Sequence, residues 1–155
     1  AYDFEAAGAE GWTVGSPNNA TTGEWTRADP IGTAAQPEND NSPSPGTRCW
    51  FTGQGSVGGS LGENDVDGGS TALFSPLFDL DGSATATLRY ARWYSNDTGA
   101  SPGADVFNVD LSDDGGVSWT RAEVVGPTGA GTTGGWVEAS IDIGAFVALT
   151  DQVRV

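Results

Sequence analysis

Glu63-Asn64-Asp65-Val66-Asp67-Gly68-Gly69 sets carboxylates at alternate positions of a stretch that glycine can bend. Hard oxygen donors at adjustable spacing suit Ca2+, which takes about six to eight oxygen ligands. The stretch is not an EF-hand, because the ligand spacing fails and no helical pattern flanks it. Further carboxylates stand at Asp3 and Glu5 and in Glu38-Asn39-Asp40-Asn41. The chain carries 21 acidic residues against six Arg and no Lys, a net charge of −15. Clustered carboxylates therefore find few protein cations to offset their repulsion. Ca2+ is the expected neutraliser, held somewhere among these carboxylates.

Other chemistry is limited by residue type. There is no His, which removes imidazole acid–base work, His-ligated zinc and the Ser-His-Asp arrangement. One cysteine, in Cys49-Trp50-Phe51, cannot close an internal disulfide and reads as a small buried hydrophobe. A two-carboxylate glycosidase stays chemically open, yet among 21 acids no pair is singled out. Ser112 to Trp119, "SDDGGVSW", fits the Asp-box pattern S-x-D-x-G-x-x-W and is similar to the motif on the blades of sialidase-type propellers. No blade-length repeat accompanies it. It reads as a hairpin clip, with Trp119 packing back over the turn.

The elements that must hold these residues are strands. No window keeps apolar residues at helical spacing for three turns, and Gly, Pro, Asn and Asp punctuate the chain closely. Strands are predicted at Tyr2–Glu5, Gly11–Val14, Glu24–Ala28, Thr47–Thr52, Thr71–Leu80, Thr85–Ser95, Asp105–Ser112, Val117–Val125, Trp136–Ile143 and Gln152–Val155. Pro76 marks an edge or a bulge. The expected fold class is all-β, an antiparallel two-sheet sandwich and most simply a jelly roll, in a single domain over residues 1–155. Alternation turns Phe107, Val109 and Leu111 to the core, and likewise Val137, Ala139, Ile141 and Ile143. Arg89, Trp93, Asn108, Asp110, Trp136 and Glu138 then face away. If their strands are neighbours, they form one aromatic and polar ligand-binding surface.

Charge bounds the partners. A strongly acidic chain lacks the surface that neutralises phosphates, so neither nucleic acid nor an anionic membrane is expected. No apolar run approaches the roughly 20 residues of a membrane span. The chain opens on a strand pattern with no leader, as a mature or excised domain would.

Asp3–Gly15 ("DFE…GWTVG"), "EWTRADP" at Glu24–Pro30 and "PENDNSPSPGT" at Pro37–Thr47 come first in order. "ALFSPLFDL" at Ala72–Leu80, "LRYARWYSN" at Leu88–Asn96 and "VSWTRAEV" at Val117–Val124 follow. This succession resembles MAM-like jelly-roll accessory domains of secreted bacterial multidomain proteins, including some metallopeptidases and zinc carboxypeptidase-like proteins. The resemblance covers nearly the whole chain. It implies a non-catalytic extracellular or cell-surface module, with a structural cation near the first strand and the long loop after it. Asp3, Glu5 and Asp40 are the matching positions, with Asp65 and Asp67 from the glycine loop. The cysteines of animal MAM modules are missing. Related domains continue into a closing strand, so the sheet is expected to lack its last strand here. The implied role is recognition or adhesion, with a glycan, an extracellular protein or neighbouring domains as partner. The alternative is a filament or surface-layer subunit that joins copies of itself by strand addition at an open edge.

Overall fold

A computed structural model describes all 155 residues. It contains eight strands: β1 (Thr13–Asn18), β2 (Trp25–Ala28), β3 (Cys49–Thr52), β4 (Thr71–Phe74), β5 (Thr87–Ser95), β6 (Phe107–Leu111), β7 (Thr120–Val125) and β8 (Thr133–Asp142). Helix is confined to two short 3-10 turns, Ala7–Gly11 and Ile143–Ala145. The strands form four antiparallel pairs, β1 with β4, β2 with β3, β5 with β8 and β6 with β7. The chain is all-β with antiparallel sheet pairs, and its sheets are small.

The core lies between the β5–β8 pair and the β6–β7 pair. Val109, Leu111, Ile141, Ile143 and Val153 form its buried cluster, and Leu88, Tyr90, Phe107 and Ala122 pack against it. The period-two pattern of β6 produces this directly: Val109 and Leu111 are buried, whereas Asn108 is exposed and Asp110 partly so. Accessible surface totals 8436 Å2, against about 7,300 Å2 for a typical monomer of this mass. Backbone-to-backbone hydrogen bonds number 46, where roughly 100 are usual for this length. Much strand edge is therefore left without a partner.

Four expected elements differ. Tyr2–Glu5 is not a strand: Phe4 sits at φ 62, and the Glu5 N–H turns onto Asp3 Oδ1 at 3.1 Å. Regular pairing at Thr71–Leu80 stops at Phe74, because Pro76 brings no N–H, and resumes only at the Phe78–Val153 bridge. β7 begins at Thr120 rather than Val117, since the N–H groups of Val117 and Ser118 are already bound to Asp114. The terminal segment is paired on both sides instead of forming an open edge. Val153 bridges Phe78, Arg154 bridges Ser112, and Ser75 N donates to Val155 O at 2.9 Å. β8, like the other strands of these two-stranded sheets, keeps one side without a ladder partner.

Candidate functional site

The Asp-box stretch is a clip between β6 and β7. Ser112 Oγ receives the Gly116 N–H at 2.8 Å and bonds Asp114 Oδ1 at 2.7 Å. Asp114 also accepts from the backbone of Val117 and Ser118 and from Ser118 Oγ at 2.6 Å. These donors hold its carboxyl far below the ordinary carboxylate range, the Ser118 hydroxyl contributing most. Gly115 and Gly116 take φ 78 and 99, where an L side chain is strained. Trp119 Nε1 donates to Gly116 O, and its ring stacks on Phe74 with centroids 5.2 Å apart. Asp113 ties the turn to the terminal segment by accepting from Ala148 N and Thr150 Oγ1. The side-chain hydrogen bonds of the motif close the turn or tie it to the terminal segment.

The five expected metal ligands fall into two groups. Asp3, Glu5 and Asp40 belong to the first. Glu5 Oε1 accepts from Thr47 N and Arg48 N at 2.8 and 2.6 Å, and Asp40 Oδ2 accepts from Ser42 N at 3.1 Å. Cys49 lies within the field of Asp40 and Glu5. Burial, then the charges of Asp40, Asp29 and Glu5, push its thiol up to about 12. Cys49 is half-buried and free. Asp65 and Asp67 form the second group, in a loop whose carbonyls are held by Thr22 Oγ1 and Thr21 Oγ1. Partial burial first, then the charges of Asp67 and Asp105, raise the Asp65 carboxyl. No three Cys, Asp or Glu side chains stand at a common point with ligating geometry. The charges around Cys49 converge over a longer range than coordination needs.

The expected ligand face is divided between two of the strand pairs. Arg89, Trp93, Trp136 and Glu138 share the outward side of β5–β8. Trp93 is directly opposite Trp136, their rings edge-to-face at 6.0 Å. The Asp29–Gly46 loop reaches over this side, taking Trp93 Nε1 on Ala35 O at 3.0 Å and giving Asn41 Nδ2 to Glu138 Oε1 at 2.6 Å. Asn108 and Asp110 stand on the outward side of β6–β7, where both bond Arg121.

The alternation pattern does not reveal a third constellation, at the margin of the core. Tyr90 and Arg92 of β5 both bond Glu123 of β7, the phenol OH donating to Oε2 and the guanidinium to Oε1 at 3.2 Å. Glu123 points inward because β7 carries a bulge: Val109 pairs with Glu123 while Asp110 pairs with Arg121, leaving Ala122 as the extra residue. Simple alternation would bury Val124, which is 53% exposed. Arg92 Nε and Nη1 are buried without a hydrogen-bond partner. Burial first, then the Glu123 carboxylate, raises the Tyr90 phenol well above its ordinary value.

Beside this triad a cleft of about 360 Å3 runs along β8, lined by Val137 through Asp142 and by Arg92, Ala122, Glu123 and Phe146. Six consecutive residues of a strand can line one cleft only along its edge, since alternate side chains point to opposite faces. The chain matches no protein-family model, no curated protein and no solved structure. Its functional reading rests on this geometry. No helix is long and apolar enough to cross a membrane.

Proposed function

We propose that this chain is a non-catalytic, calcium-stabilised recognition or adhesion module of a secreted bacterial protein, built as a MAM-like jelly-roll sandwich. The cleft along the open edge of β8 carries the reading: it joins an apolar floor to a few fixed polar groups, as binding sites do. A glycan, an extracellular protein or a neighbouring domain is the expected partner. Immobilised chain, screened in Ca2+ against glycans and extracellular matrix proteins, should retain a ligand. Ser140→Trp should abolish that binding by filling the cleft from an exposed position. Retention of nothing, or full binding by the Ser140→Trp protein, rejects the reading. Self-assembly by strand addition is a second reading, favoured by the same unpaired edge.

Calcium belongs to the proposal through the clustering of acidic side chains, two of which, Asp40 and Glu5, act on Cys49. Asp3, Glu5 and Asp40 would hold it, with Asp65 and Asp67 in the second acidic loop, once side-chain rotation brings more oxygens together. At about 10 mM Ca2+ and a Kd near 10−4 M, linkage adds roughly 2.7 kcal/mol to stability. A cation there would also offset the carboxylate charges that add to burial in suppressing the Cys49 thiolate. Alkylation of Cys49 near neutral pH should thus be on the order of a thousandfold slower than for a free thiol, and several-fold faster once Ca2+ is added. A melting temperature and an alkylation rate both indifferent to Ca2+ and EDTA would remove calcium from the account.

A further inference from the structure

The unpaired side of β8 has a definite chemical pattern. Ile143 N donates to Ala86 O at 2.9 Å, which sets the phase of the β5–β8 ladder. By antiparallel alternation, Val137, Ala139 and Ile141 spend their backbone groups on β5. Glu138, Ser140 and Asp142 direct theirs to the open side, and no hydrogen bond reaches them. Three donors and three acceptors therefore line the cleft as a template for one more strand. The side chains repeat the phase. Val137, Ala139 and Ile141 face the core side, whereas Glu138, Ser140 and Asp142 face outward. Glu138 and Asp142 are both exposed.

We infer that the β8 edge captures an extended strand of a different protein in which basic and apolar residues alternate. Basic side chains would stand beside Glu138 and Asp142, and apolar ones would enter over Ala139, Ala122 and Phe146. Charge selects this occupant. The chain carries −15, and Arg92, the one cation of the cleft, is already paired with Glu123. A second copy is the poorer fit: antiparallel β8 strands centred on Ser140 would set Glu138 opposite Asp142 of the other copy, like charge against like.

The inference rests on the recognition reading and names its partner. The experiment is fluorescence anisotropy with a capped seven-residue peptide alternating lysine and valine, added to the intact chain. Two further peptides share its charge: one with the lysines grouped at one end, one N-methylated on the backbone amides that face β8. Saturable binding is expected, at least tenfold weaker for both altered peptides. Ser140→Pro should weaken it equally, because that N–H faces the open side and proline is tolerated at an edge. The N-methylated peptide gives the same answer if the variant does not fold. Equal affinity for all three peptides, or no binding at all, overturns the inference. So does light scattering that shows the edge closed by a second copy. Should the peptides fail while a screened ligand is retained and lost in Ser140→Trp, this inference falls and the recognition reading stands.

Discussion

Leu111→Ala should lower the unfolding free energy by about 3 kcal/mol, within the roughly 2–5 kcal/mol span of buried leucine truncations. Leu111 is 0% exposed and sits with Val109, Ile141, Ile143 and Val153 in the only buried apolar cluster. The cost has two sources, lost transfer free energy and the cavity left between sheets that cannot fully collapse. Small domains hold about 5–15 kcal/mol in total, so this one truncation removes a large share. The effect is expected to be severe here because so little else is buried, 13 residues of 155. Urea denaturation checks it, with Val117→Ala as control, since Val117 is 87% exposed and should shift stability by less than about 0.5 kcal/mol. A loss below about 1 kcal/mol for Leu111→Ala would mean that the core is not where the structure puts it.

Glu123→Ala should cost about 3 kcal/mol, because it strands a charge rather than trimming a contact. Arg92 is 11% exposed and Glu123 25%, and Arg92 already has two buried nitrogens without partners. Removing the carboxylate leaves the guanidinium facing an apolar margin and the Tyr90 hydroxyl without its acceptor. Replacing both partners with leucine should recover most of the loss, since an apolar pair needs no compensation. A double-mutant cycle by urea denaturation should give a coupling above about 1 kcal/mol. Additive losses would show the pair to be incidental.

Two partly buried tyrosines set an alkaline limit. Tyr90 and Tyr94 both have raised phenols, Tyr94 up to about 12 through burial and the Asp105 charge. Their neutral forms stabilise the folded chain fully below the unfolded tyrosine value of about 10. That contribution declines as the pH rises from there through the folded values. Phenolate absorbance of these two residues should therefore grow together with loss of the circular dichroism of the fold.

Several features of this molecule are local in origin. The all-β class, the burial of Val109, Leu111, Ile141 and Ile143, and the Ser112–Trp119 clip follow from spacing of two and from turn chemistry that acts within a few residues. The same holds for the outward pairing of Trp93 with Trp136, once β5 and β8 are neighbours. Tertiary structure decided the rest. The bulge at Ala122 reversed Glu123 from the solvent side to the core side. An arrangement of strands into separate sheets parted Asn108 and Asp110 from Arg89, Trp93, Trp136 and Glu138. The pairing of the terminal segment with Phe78 and Ser112 closed the edge expected there, while β8 kept one side unpaired. Alternation fixes which face a side chain takes along its own strand. It carries no information about which strand lies beside it, or where one extra residue shifts the phase, and at those two points the candidate site was made.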